Sequence, residues 1–173
     1  ITKTFTAILL AEAVQRGELE LDDPLEDFLP TSVDPLQHDD RSIALFDLVT
    51  HTSGLPRMPN NFDPADANNP YADYTWEALL DYLSNCKLRK TPGSRYAYSN
   101  LGMGLLGQIL AQHAESDYTT LVKERITEPL ALHDTVIALE EDQLDRLATG
   151  HNADFVAVSN WDLGALEGAG AIR

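Results

Sequence analysis

A mostly helical chain with little room for a sheet is what this sequence predicts, and three observations predict it. Apolar residues recur at three- and four-residue spacing in stretches near residues 2–16, 75–85 and 101–114, the period of a helix with one buried face. Strand-like text is confined to two short runs, Glu18–Leu21 and Phe155–Val158. No internal repeat occurs, and no stretch is rich enough in Gly, Ser or Pro to link two domains, so the 173 residues read as one domain with one sizeable core. A layered enzyme built on this chain takes its strands from outside this window.

The elements follow in order. Residues Thr2 to Arg16 read as a helix with Phe5, Ile8, Leu9 and Ala13 on its apolar face, stopped by Gly17. Glu18-Leu19-Glu20-Leu21 alternates like a short strand, and Asp23-Pro24 reads as a turn. Leu25, Phe28 and Leu29 fit one helical turn before Pro30, and residues 31–41 are loop-like. Ser42 is placed to cap a helix carrying Leu45, Leu48 and Val49, which ends near Thr50-His51 because Ser53-Gly54 and Pro56 follow. Residues 57–74 form a long irregular stretch, set with Asn and Pro and with Met58, Phe62, Tyr71 and Tyr74 as scattered apolar residues. A loop of that length in a compact domain is often functional, and this one is a candidate cleft wall. Thr75 is a good N-cap for a helix with Trp76, Leu79, Leu80 and Leu83 on its buried face, and Pro92-Gly93 marks a turn. The helix at 101–114 carries Gly102, Gly104 and Gly107, each costing roughly 1 kcal/mol against Ala in an exposed helix. Close backbone approach to a neighbour accounts for all three. A further helix is predicted at Thr119–Ile126, one or two turns around Leu144 and Leu147, and a loop-rich end from Gly150 with a short strand at Phe155–Val158.

Charge narrows the function. Twelve Lys and Arg against 28 Asp and Glu give a net charge of −16, which repels a phosphate backbone and argues against a nucleic-acid or anionic-membrane partner. No run of about 18 apolar residues is present, so no transmembrane segment is expected. The single cysteine, Cys86, forms no internal disulfide and reads as a small, half-buried residue. The five histidines show no ligand spacing, and no phosphate loop, dinucleotide fingerprint or zinc motif occurs, so neither a metal nor a cofactor is implied. The chain opens inside an element at Ile1-Thr2-Lys3 and closes at Gly170-Ala171-Ile172-Arg173, so both ends read as cuts in a longer polypeptide.

Three places carry candidate chemistry. Lys3 sits in the first turn of an Ala-rich helix, where the dipole disfavours its charge. With burial that placement suits a base; without it Lys3 is an exposed lysine near a chain end. Tyr98 and Asn100 flank Ser99 just before the glycine-rich helix. In an extended segment their phenol and carboxamide project to one side, toward a cleft. The plainer reading makes Ser99 or Asn100 the helix cap, with Tyr98 packed beneath. Ser99 lacks a nucleophile elbow and is a poor candidate nucleophile. His51 and Ser53 admit a catalytic pairing, against the plainer reading that His51 caps a helix end as a donor or cation.

Taken together these segments resemble one family. Thr2-Lys3-Thr4-Phe5-Thr6-Ala7 resembles the start of the long helix of serine-acylating β-lactamases and penicillin-binding proteins, in which a Ser-x-x-Lys motif sets a nucleophile one turn before a lysine. His51-Thr52-Ser53-Gly54-Leu55-Pro56 resembles a structural turn of that family. Tyr98-Ser99-Asn100 resembles the Tyr-x-Asn motif of its class C, DD-peptidase and esterase branch, and Gly168–Arg173 resembles its glycine-rich segment. The resemblance covers essentially the whole chain. It implies an α+β, β-lactamase/transpeptidase-like fold of which residues 1–173 are the helix-rich part. It implies Lys3 and Tyr98 as catalytic residues and Asn100 as a substrate-binding residue. The nucleophilic serine is expected immediately before Ile1, and a Lys/His-Thr-Gly strand beyond Arg173; neither lies in this sequence, so the chain alone is expected to be inactive. The implied reaction is acyl-enzyme hydrolysis of a small-molecule or peptide substrate with a lactam, amide or ester carbonyl. The resemblance also implies an exported protein, periplasmic or secreted. The alternative is a non-catalytic penicillin-binding-like receptor or structural domain.

Overall fold

The computed structural model describes residues 1–173 and organises them around one central helix. The helices are α1 (Thr2–Gln15), α2 (Leu45–Val49), α3 (Trp76–Asn85), α4 (Asn100–His113), α5 (Tyr118–Val122), α6 (Glu141–Leu144) and α7 (Glu167–Gly170). Single 3-10 turns stand at Leu25–Phe28 and Gly164–Leu166, and a wide π turn at Lys123–Thr127 extends α5. Helix α4 is apolar nearly all round and buried along most of its length, the pattern of a helix enclosed on every side. It packs against α1, α2, α5 and α7. Strands are reduced to two antiparallel pairs of two residues each: β1 (Gln37–His38) with β2 (Arg41–Ser42), and β3 (Gly150–His151) with β4 (Ala157–Val158). The fold is thus mainly helical, with only these two small antiparallel sheets.

Local chemistry explains most boundaries. Ser99, Thr75 and Asp117 accept from the backbone N–H groups of Gly102, Ala78 and Thr120 and so cap α4, α3 and α5. The glycines of α4 have two different reasons. A Cβ on Gly104 would stand 2.9 Å from Leu166 Cα, and one on Gly107 2.9 Å from Gly168 Cα, so backbone meets backbone there. Gly102 faces only side chains at ordinary contact distance, so close approach does not explain it.

Several expectations need correction. Ile8 is exposed, and the buried face of α1 runs through Thr2, Thr6, Leu9, Leu10 and Ala13. The alternation at Glu18–Leu21 forms no strand: Leu19 is buried but Leu21 is exposed, and a turn is closed by Glu20 N–H donating to Asp23. Ser42 does not cap α2. It lies in β2 and donates to Glu26, while the Ala44 N–H at the start of α2 is taken by the Asp47 carboxylate at 3.0 Å. Residues 37–42 hold a tight hairpin rather than plain loop, with Asp39 and Asp40 both at positive φ as a two-residue turn of this hand requires.

Candidate active site

The site is assembled from α1 and three further segments that are distant in sequence and tied by hydrogen bonds. The first is the turn after α2. Asp47, wholly buried, accepts from Arg41 at 3.1 and 3.2 Å, from the Ala44 N–H and from the Thr52 hydroxyl. These bonds compensate a carboxylate that burial alone would penalise heavily. They fix the turn in which His51 takes a left-handed backbone (φ 60°).

The second segment, 93–101, is laced onto that turn. Gly93 N–H donates to Thr52 O (2.8 Å), Ala97 N–H to His51 O (2.7 Å) and Ser99 N–H to His51 Nδ1 (3.2 Å). Ser99 Oγ donates to Pro56 O at 2.6 Å, and the N–H groups of Asn100 and Leu101 converge on Arg57 O. Ser99 is therefore a buried cap with both hydrogen-bonding roles filled, not a nucleophile. The His51 ring lies 4.7 Å from that of Tyr98 and 5.8 Å from that of Tyr96. Burial first, and the Lys3 charge second, hold the His51 imidazole below its ordinary range. A neutral ring whose Nδ1 accepts carries its proton on Nε2. The expectation of a cationic cap is thereby corrected: His51 positions the Tyr98–Asn100 segment by accepting a bond. No hydrogen bond joins His51 to Ser53, whose hydroxyl accepts from Leu55 N–H instead.

The third segment is the glycine-rich end. Gly168 lies against α4, and its carbonyl accepts from the buried Thr6 hydroxyl at 2.7 Å. Thr6 in turn meets the Tyr118 hydroxyl at 2.6 Å. One residue on, the Ala169 carbonyl accepts from Lys3 Nζ at 2.5 Å.

Lys3 and Tyr98 thus meet: Lys3 Nζ stands 5.1 Å from the centre of the Tyr98 ring. Lys3 is half-buried and hydrogen-bonded, not a free lysine at a chain end. Asn100 is the first residue of α4, with its Nδ2 3.8 Å from Met58 Sδ. It shares a cavity of about 270 Å³ with Tyr71, Trp161, Leu166, Ala169 and Gly170. Asn100 and Ala169, the residue whose carbonyl holds Lys3, therefore both line this cavity. The 57–74 loop does line clefts, through Met58 and Asn60 in a groove beside Tyr98 and through Tyr71 in the smaller cavity.

Sequence reasoning missed Arg57, whose guanidinium carbon lies 5.2 Å from the centre of the same Tyr98 ring that Lys3 approaches. It is one basic residue at the head of a polar loop, and nothing local marks it. It also missed the carbonyl of Ala169; the small residues flanking it were the available signal. No cluster of three or more His, Cys, Asp or Glu side chains is placed to hold a metal. No helix is long and apolar enough to cross a membrane.

The architecture and its lysine, Tyr-x-Asn and glycine-rich segments define a class, the penicillin-recognising serine hydrolases. The Beta-lactamase family model matches residues 1–172, and the chain belongs to that family, in its class C β-lactamase and DD-peptidase branch. It is 37% identical over 150 residues to the D-alanyl-D-alanine-carboxypeptidase/endopeptidase AmpH of Escherichia coli (strain K12), covering 85% of this chain and 38% of that protein. It is 31% identical over 153 residues to a beta-lactamase of Pseudomonas fluorescens, covering 88% of this chain and 39% of the relative. Among solved structures it resembles a beta-lactamase/D-alanine carboxypeptidase from Yersinia pestis, with TM-score 0.82 and 28% identity over 99% of this chain and 47% of the other. A class C beta lactamase from Rhodobacter sphaeroides matches with TM-score 0.76 and 29% identity, over 99% and 45%. The chain thus spans less than half the length of these relatives.

Proposed function

We propose that residues 1–173 are the helix-rich part of a β-lactamase-type domain that hydrolyses an acyl substrate through a serine ester. In this reading the nucleophile is a serine immediately before Ile1, which α1 would present one helical turn from Lys3. Its hydroxyl oxygen attacks a lactam, amide or ester carbonyl carbon, and its proton passes to Lys3 in its neutral amine form, directly or through Tyr98. Tyr98 then delivers a proton to the departing nitrogen or oxygen as that bond breaks. Asn100 holds the substrate amide or the lysine, and water hydrolyses the acyl-enzyme. The reaction needs an activated nucleophile and a preorganised oxyanion site, the latter completed by a Lys/His-Thr-Gly strand beyond Arg173.

The observation that supports this reading is the placement of Lys3 Nζ, held by the Ala169 carbonyl, 5.1 Å from the centre of the Tyr98 ring. The relatives, a D-alanyl-D-alanine-carboxypeptidase/endopeptidase and a beta-lactamase, support β-lactams and D-alanyl peptides as substrates, and small esters complete the range proposed from the shared acyl chemistry. A periplasmic or secreted location is part of the same reading.

The test is stopped-flow hydrolysis of a p-nitrophenyl ester by the full-length protein. A burst of p-nitrophenol stoichiometric with enzyme, lost in Lys3→Ala, is expected. Absence of any burst or turnover in a folded protein, or a Gly or Ala preceding Ile1, would favour the non-catalytic receptor reading.

A further inference from the structure

The widest groove of the molecule, about 1100 Å³, opens beside Tyr98 and has a charge opposite to that of the chain. Its lining includes Lys87, Arg89, Lys90 and Arg95, all exposed, and contains no Asp or Glu. That is a strong local departure in a chain with 28 acidic and 12 basic residues. The sequence holds no acidic residue between Asp81 and Glu115. None of the four cations is in a salt bridge, whereas Arg16, Arg41, Arg125, Arg146 and Arg173 each pair with a carboxylate. Asp39, which accepts from the Thr91 hydroxyl and lies 3.1 Å from His38 Nδ1, does not line the groove.

Four unpaired cations in nine residues repel one another at a cost that an anionic occupant removes. The segment is held rigidly enough to keep them there. Leu88 is buried, Gly93 N–H is bonded to Thr52 O, and the Arg41 guanidinium occupies the space where a Gly93 side chain would stand. Four cations and no carboxylate in one lining suit an occupant that carries more than one negative charge. The groove also has an apolar floor of Leu55, Pro56, Met58 and Tyr82, which suits a peptide's aliphatic parts.

We propose that this groove is a cationic exosite for the carboxylate-bearing peptide portion of an extended substrate whose scissile carbonyl lies beyond Tyr98. The substrate assignment rests on the hydrolase reading above; the anion site itself does not. In a molecule whose overall field repels anions, such a groove focuses them toward the one face where the proposed chemistry occurs.

The experiment uses the full-length protein and two fluorescein-labelled peptides of equal length, one with four Glu and one with four Gln, followed by anisotropy. The Glu peptide is expected to bind saturably, to weaken as salt rises from about 20 to 200 mM as screening shortens the range of the field, and to outcompete the Gln peptide. Arg89→Gln/Lys90→Gln/Arg95→Gln should weaken the Glu peptide by about tenfold, roughly twofold for each exposed charge contact removed. Lys123→Gln, remote from the groove, should leave it unchanged. Equal binding of the two peptides, or an unaltered triple variant, overturns the exosite. Tighter binding of a single-stranded oligonucleotide than of the Glu peptide overturns the peptide assignment. The ester burst is measured in parallel: its absence with Glu-peptide binding intact sinks the hydrolase reading alone, and its presence without Glu-peptide binding sinks the exosite alone.

Discussion

Substituting Gly168 by Ala tests whether backbone contact between α7 and α4 sets the position of the Lys3 acceptor. A Cβ on Gly168 would stand 2.6 Å from Met103 O and 2.9 Å from Gly107 Cα. Both are backbone atoms of a helix buried on all sides, so no side chain can swing aside. Overpacking of this kind costs about 1–3 kcal/mol, and the backbone character of both contacts places Gly168→Ala at about 2–3 kcal/mol. For a domain of this size, roughly 2–4 °C per kcal/mol converts that to a Tm loss of about 4–12 °C, less in a longer polypeptide. The matched control is Gly102→Ala, whose new methyl would meet Ser99 Oγ at 3.4 Å and Leu48 Cδ2 at 3.7 Å, ordinary contacts. It should change stability by less than about 1 kcal/mol and with either sign, since Ala also favours the helix. Urea unfolding of both variants at constant m-value is the assay. Equal stability of Gly168→Ala and the parent, or an equal loss in Gly102→Ala, would refute the packing argument.

Other outcomes follow from the same contacts. Asp47→Ala leaves Arg41, the Ala44 N–H and the Thr52 hydroxyl without an acceptor. It should cost about 3 kcal/mol in urea unfolding, the low end for a broken buried pair because Arg41 is partly exposed. Thr6→Val strands the buried Tyr118 hydroxyl, whose pKa burial pushes up to about 12. A loss of about 1–2 kcal/mol is expected, and Tyr118→Phe should recover part of it in a double-mutant cycle. His51 is held below its ordinary value of 6.5, so the unfolded chain binds its proton more readily than the folded one. Its contribution to stability is full above pH 6.5 and is lost as pH falls through the folded value. His51→Asn, which tolerates the same backbone conformation, should flatten that part of the urea-midpoint-against-pH curve. Glu167 has the opposite consequence: burial, then Asp117 and Asp162, raise its pKa above 4.5. The folded state therefore binds the proton more readily, stability declines as pH rises through the raised value, and Glu167→Gln should raise the midpoint at pH 7.

How much of this was legible in the residues depends on the range of the interaction that decides each feature. Thr75 and the stripe from Leu79 to Leu83 announced α3 because a cap and a period act within a few residues. The end of α2 near Thr50-His51 was legible for the same reason. Ile8 misled because α1 turns Thr2 and Thr6 inward: their hydroxyls are satisfied by Ile172 N–H, Gly168 O and Tyr118, partners more than a hundred residues away. Ser42 has the side chain of a cap, but Asp47 inside the helix reaches back to Ala44 and leaves Ser42 to Glu26. In the candidate site, Lys3, Tyr98 and Asn100 were nameable as residue types in a recognisable order. Their supports were not. Arg57, the Ala169 carbonyl and the accepting nitrogen of His51 act through tertiary contacts that leave no local pattern.

Peptide mapping of the full-length protein after exposure to penicillin reaches the central claim most directly. The account predicts one adduct of intact penicillin mass, carried by the residue that precedes Ile1, formed quickly in the parent and not in Lys3→Ala. An adduct on any side chain within residues 1–173, or undiminished acylation once the Lys3 amine is removed, would contradict it.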